Sequence, residues 1–178
     1  MLTFGSGVGG AVLVNERIYR GVNGEHPELG HIPVALVGPA CYCGIRGCLE
    51  SLASGTAIGM AGKELGLAAA RAVFASAASG NRAAQAIVER TLGAVATAGW
   101  TLCHTLLPQR LILGGGMMDE HFELFAAAIR DRLQSATQFT RAAVSVVRAA
   151  LGNDAGVVGA AAIAFQRAGA LSSAGAQP

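Results

Sequence analysis

The segment Glu28–Glu50, ELGHIPVALVGPACYCGIRGCLE, puts one histidine and three cysteines into eighteen residues and sets a carboxylate at either end. His31, Cys41, Cys43 and Cys48 offer one neutral nitrogen and three thiolates, the donor set of a closed tetrahedral zinc site. Such a site binds metal structurally and leaves no position open for a catalytic water. Gly44 and Gly47 free the backbone between the last two cysteines. The plain alternative is buried thiols and solvated glutamates, but unrelated cysteines rarely fall at ligand spacing with a histidine. Four cysteines in a chain of 178 residues, three of them clustered, point to metal ligation in a reducing compartment rather than a disulfide framework. A cytoplasmic protein is expected.

The flanking carboxylates have their own geometry. Glu28 and His31 are one helical turn apart, so if Pro27 opens a short helix both side chains share one face. Glu50 follows Cys48 by two positions, and a metal holding His31 and Cys48 would draw Glu28 and Glu50 together. Glu28, His31 and Glu50 are thus expected to converge on one small pocket.

Composition limits the rest. With 52% hydrophobic and 13% charged residues, the chain is expected to form one soluble globular domain with a real core. Net charge is +2 and no Lys or Arg adjoins another, which leaves no electrostatic footprint for nucleic acid or an anionic membrane. Gly, Ser or Asn interrupts each low-charge stretch before the roughly 18 residues of a membrane span. The chain opens straight into a strand pattern, without a secretory signal.

Upstream of the histidine, Met1 to Phe4 reads as a strand, Gly5 to Gly10 as a glycine-rich turn, and Ala11 to Val14 as the strand resuming, with Arg17 to Gly21 pairing back. A glycine loop between strands lets backbone N–H groups approach an oxyanion, although plain tight turns look the same. Downstream, Ser51 or Ser54 caps a helix reaching about Gly62. Lys63 to Gly80 is expected to hold a second helix and a loop. From Arg82 to Leu107 apolar residues recur at helical spacing until Pro108, which makes this the long core helix. Cys103 and His104 on it lack ligand-spaced partners and read as packing residues. Arg110 to Leu113 is a buried-strand pattern followed by Gly114-Gly115-Gly116, with Asp119-Glu120 opening the next helix. Strand, triple glycine and helix N-terminus admit a nucleotide's phosphate or sugar close to the backbone. Val144 to Arg148 reads as the last strand, and Gly152 to Gly156 leads into a terminal helix, Val157 to Gln166.

GHIPVALVGPACYCGIRGCLE resembles the signature of the ROK family (repressors, open reading frames and sugar kinases): Gly-His, eleven residues, Cys-Gly, two residues, Gly-Cys-Leu-Glu. Gly30-His31, Cys43-Gly44 and Gly47-Cys48-Leu49-Glu50 match it without a gap. FGSGVGG resembles the family's second phosphate motif, with Ser6 in place of the usual Thr. LILGGG resembles its adenosine motif, and LGNDAGVVGAA the start of its closing helix. The resemblance implies an α/β, actin-like ATPase (ribonuclease H-like) sugar-kinase fold, here the C-terminal lobe with a structural zinc loop. One lobe is expected over residues 1–167, its zinc and sugar loop at 22–50, with a disordered tail at 168–178.

By the same resemblance His31, Cys41, Cys43 and Cys48 hold structural zinc, and Glu28, His31 and Glu50 hydrogen-bond sugar hydroxyls. Gly5, Ser6, Gly7, Gly114, Gly115 and Gly116 contact the nucleotide. ATP and Mg2+ are the cofactors of the complete kinase, a hexose or N-acylhexosamine its substrate, and a homodimer its assembly. Pro27 gives HPELGH, a variant similar to fructokinase-like members. The family's first phosphate motif, Asp-x-Gly-Gly-Thr, does not occur in these 178 residues, and none of the three aspartates, Asp119, Asp131 and Asp154, has the context of its Asn-Asp pair, whose aspartate is the base. No catalytic residue is therefore assigned, and the chain alone is expected to be inactive. Two other classes of function are the sugar-sensing half of a ROK repressor, which needs a winged helix, and a noncatalytic sugar-binding or dimerisation module.

Overall fold

The computed structural model describes residues 1–135 and 144–167. Residues Met1–Arg148 form one compact unit, and a second begins at Ala149. The expectation of a disordered tail at 168–178 falls outside the described residues.

A four-stranded sheet organises the first unit, in the order β2, β1, β5, β6. β1 (Leu2–Phe4) lies antiparallel to β2 (Val8–Gly10) and parallel to β5 (Arg110–Gly114), which is itself parallel to β6 (Ser145–Arg148). The strand pairing corrects the expected turn: Val8–Gly10 is already strand, and only Gly5 to Gly7 turn. A separate hairpin pairs β3 (Leu13–Val14) with β4 (Arg17–Ile18).

Helices cover the sheet. α1 (Leu49–Ala53) and α2 (Gly55–Gly62) are two helices where one was expected. The extended backbone of Ser54 divides them, and its hydroxyl accepts the Ala57 N–H at 3.1 Å. Of the two candidate caps Ser54 is the one used, since the Ser51 hydroxyl donates backward to the Cys48 carbonyl. α3 (Ala70–Ala78) follows a 3-10 turn at Lys63–Leu65. α4 (Arg82–Leu106) starts where Asn81 accepts the N–H groups of Ala83 and Ala84 and stops at Leu107, which adopts φ +45° before Pro108. α5 (Met118–Gln134) completes this unit. The second unit contains a 3-10 turn at Gly152–Asp154 and α6 (Ala155–Arg167).

The core joins β1 and β5 to α4 and α5. Phe4 and Phe125 meet edge to face with centroids 5.1 Å apart, and both are fully buried. Gly99 on α4 brings Ile129 so close that a Cβ would stand 2.7 Å from its side chain, which is why a glycine suits this helix interior. Thr91, also fully buried, donates to the Leu52 carbonyl at 3.0 Å and ties α4 to α1. Cys103 is buried, and burial pushes its thiol up, as fits a packing residue. His104 stacks on Trp100 and its Nδ1 lies 2.9 Å from the Trp100 carbonyl. Among the described residues no helix is long and apolar enough to cross a membrane.

Candidate functional site

The four candidate ligands meet. One donor atom from each of His31, Cys41, Cys43 and Cys48 lies within 4.8 Å of the other three. His31 Nδ1 is 3.4 Å from Cys41 Sγ, and the sulfurs of Cys43 and Cys48 are also 3.4 Å apart. Tetrahedral zinc, with bonds of about 2.3 Å to sulfur and about 2.0 Å to nitrogen, sets donor separations of roughly 3.4–3.8 Å. The donor set fits that metal, as do the two 3.4 Å separations, with all four donors gathered within 4.8 Å.

Local structure brings them together. His31 ends a 3-10 turn (Leu29–His31), and Cys48 is the residue from which α1 departs. Pro33 and Cys48 form an isolated antiparallel bridge, so both ends of the loop are fastened side by side. Gly47, at φ +72°, packs where a Cβ would lie 2.2 Å from the Ala35 carbonyl oxygen, so only glycine closes this turn. Burial, followed by the neighbouring thiols Cys43 and Cys41, pushes the Cys48 thiol up to about 12. The exposed Cys43 thiol is instead lowered, first by its hydrogen bond to the Ile45 backbone.

Glu50 has a partner that spacing alone does not reveal. From the first turn of α1 its Oε2 accepts the Val8 N–H at 2.8 Å, and a Cβ on Gly7 would stand 2.7 Å from the same oxygen. The carboxylate thus reaches the glycine loop as well as the cysteine loop. Gly5 in turn accepts the Gly55 N–H at 2.7 Å, which anchors the loop to α2.

The other glycine loop adjoins the first. Gly115, at φ +89°, sits so close to β1 that a Cβ would be 2.4 Å from the Phe4 carbonyl oxygen. Both loops therefore leave the carboxyl ends of adjacent parallel strands, where open α/β sheets bind their ligands. A Cβ at Gly5 or Gly116 would meet nothing within 4 Å, so each loop keeps an open face.

Glu28 departs from expectation. Pro27 does not open a helix; Glu28 itself precedes the 3-10 turn, and its exposed carboxylate lies 3.4 Å from His26 Nδ1. Sequence spacing also overlooked Tyr42, whose hydroxyl lies 2.9 Å from His31 Nε2. Desolvation of that hydroxyl, and then the Glu50 carboxylate, raise the phenol above its ordinary range. An aromatic alone between two candidate ligand cysteines was the available signal. A cavity of about 540 Å³ is lined by Tyr42 and Glu50 together with Ser6, Ser54, Met60 and Arg90.

The sheet with parallel strands, the two glycine loops and the His/Cys cluster beside a cavity belong to a fold shared with solved ROK sugar kinases, which is the actin-like sugar-kinase class. The sequence matches the ROK family over residues 1–167, and the chain belongs to that family. It is 34% identical to a glucokinase of Thermotoga maritima, over 94% of this chain and 58% of that one. An N-acetylmannosamine kinase of Vibrio cholerae is 36% identical over 74% of this chain and 47% of its own length. The crystal structure of a ROK hexokinase from Thermus thermophilus superposes with a TM-score of 0.83 at 33% identity, covering 94% of this chain and 56% of that one. The chain spans about half the length of these relatives.

Proposed function

We propose that residues 1–178 are the sugar- and metal-bearing half of an ATP-dependent kinase acting on a hexose or N-acylhexosamine. The observation that carries this reading is Glu50: one carboxylate faces the cavity beside the His/Cys cluster and grips the glycine loop through Val8. His31 and Glu50 would hydrogen-bond sugar hydroxyls, with Glu28 reaching them once it leaves His26. His31, Cys41, Cys43 and Cys48 would hold zinc, which when bound supplies no chemistry beyond fixing the loop that presents His31. The open faces of Gly5, Ser6 and Gly7 and of Gly114, Gly115 and Gly116 would receive ATP, which arrives with Mg2+.

The direct test is Glu50→Gln. Its carbonyl oxygen can still accept from Val8, and Glu50 is not a metal ligand, so metal content is expected to stay unchanged. Sugar affinity is expected to fall about tenfold or more, since hydrogen bonds to a charged group contribute about 1.5–3 kcal/mol. Titration with D-glucose and N-acetyl-D-mannosamine, followed by NMR, measures it, and parental affinity in the variant would remove Glu50 from the site.

A second expected result concerns turnover. The chain has three aspartates: Asp119 and Asp131 lie on α5, and Asp154 in the 3-10 turn before α6. Among the described residues none of them lines the cavity. Phosphoryl transfer needs a positioned base, metal and charge clamp together. The 178-residue chain is accordingly expected to show no sugar-dependent ATP consumption above background in a coupled assay. Turnover in protein free of host kinases would require a base among these residues.

A further inference from the structure

Tyr42 stands between two candidate metal ligands, yet its hydroxyl is turned toward the sugar-facing groups. It lies 2.9 Å from His31 Nε2, and the two rings meet edge to face at 4.9 Å and 87°. The other ring nitrogen, Nδ1, faces Cys41 Sγ. A neutral imidazole that turns Nδ1 to a metal keeps its proton on Nε2, so Nε2 donates and the phenol oxygen accepts. The phenol proton is then available, and the Glu50 carboxylate lines the same cavity. One hydroxyl can thus accept from His31 and donate to Glu50, the pattern that a sugar hydroxyl would fill between those groups.

We propose that Tyr42 is an affinity- and specificity-determining residue of the sugar site, its hydroxyl standing in for a sugar hydroxyl until the sugar displaces it. The proposal rests on the assignment of His31 and Glu50 to sugar binding. Little opposes the displacement. Tyr42 is 82% exposed, so turning the ring away sacrifices little buried area. The main chain around it is held, with Cys41 N–H donating to the Ile45 carbonyl at 2.8 Å and Gly44 N–H to the Cys41 carbonyl at 3.1 Å. Departure is therefore a side-chain rotation and leaves the cysteine loop closed. A sugar must replace the hydrogen bond to His31 to win, which favours one whose hydroxyl can accept from His31 and donate to Glu50 at once.

The test uses the 178-residue chain and its Tyr42→Phe and Glu50→Gln variants, each with metal content measured. D-glucose and N-acetyl-D-mannosamine are titrated, with 15N-labelled histidine reporting on His31. Tyr42→Phe removes the competing hydroxyl and keeps the ring, so at unchanged metal content at least one probe is expected to bind on the order of 3–10-fold tighter. That gain corresponds to one net hydrogen bond. Without sugar, the His31 Nε2 signal is expected to differ between parent and Tyr42→Phe, and in the parent to move when sugar is added. Unchanged or weaker binding in Tyr42→Phe, while Glu50→Gln loses affinity, would overturn the role of Tyr42 and leave the sugar site standing. Parental affinity in Glu50→Gln would overturn the site itself and the inference with it. Identical His31 signals in parent and Tyr42→Phe before sugar is added would mean that the contact is not made in solution, which also overturns it.

Discussion

Replacing Cys43 or Cys48 by serine is expected to lower bound zinc from about one ion per chain to near none and to unfold the segment between His31 and Cys48. Little else holds the middle of that segment. Ile32, Val34 and Ala35 pack against the core at its start, but Leu36 and Val37 are 103% and 90% exposed, and its pairing consists of the Pro33–Cys48 and Ala40–Arg46 bridges with a few turn hydrogen bonds. A structural zinc contributes roughly 10–16 kcal/mol of apparent binding free energy in small domains, comparable to the roughly 5–15 kcal/mol that holds a whole domain folded. Loss of the ion should therefore remove most protection of this loop from hydrogen exchange. Chelation of the parent should do the same. Cys103→Ala is the control: that thiol is buried on α4 outside the cluster, so zinc should stay bound and stability should fall only by about 1 kcal/mol. Elemental analysis of the purified parent decides the matter, because a chain that folds without zinc and ignores chelators has only a cluster of thiols.

The cluster was legible from spacing because its ligands are near in sequence and a turn with two glycines suffices to gather them. Helix α4 was legible for a similar reason: its apolar period runs unbroken from an asparagine cap to a proline stop. β2 was hidden because Val8-Gly9-Gly10 has the composition of a turn. Pairing with β1, which sets Thr3 opposite Gly9 and Phe4 opposite Val8, makes it a strand. The break between α1 and α2 turned on one serine that accepts an N–H instead of continuing the helix. Glu28 was expected to share a helical face with His31, but Pro27 opens no helix, and the Glu28 carboxylate lies 3.4 Å from His26 Nδ1. The Glu50–Val8 hydrogen bond spans 42 residues and exists only once α1 packs beside the sheet, so spacing could not reveal it. Contacts of that kind decide which polar groups share the cavity.

Gly30→Ala should couple those contacts to stability. The Gly30 backbone lies against β2, so that an added Cβ would stand 2.0 Å from the Val8 carbonyl oxygen and 3.0 Å from its carbon. Backbone cannot yield as a flexible side chain does, so either the Leu29–His31 turn or strand β2 must move. Overpacking of this kind costs about 1–3 kcal/mol, and a chain of this size loses roughly 2–4 °C of Tm per kcal/mol. A fall of about 2–12 °C is expected, with weaker sugar binding as well. The functional loss follows from connectivity: the Val8 carbonyl faces Gly30 while the Val8 N–H holds Glu50, and His31 is the next residue after the displaced glycine. Gly93→Ala provides the opposite sign. Gly93 lies within α4, and a Cβ there would meet nothing within 4 Å, so alanine should stabilise the chain by about 0.5–1 kcal/mol through helix propensity. Thermal melts of both variants and the parent, measured together, give the comparison; a Gly30→Ala protein melting with the parent would show that the turn and β2 are not in contact as described.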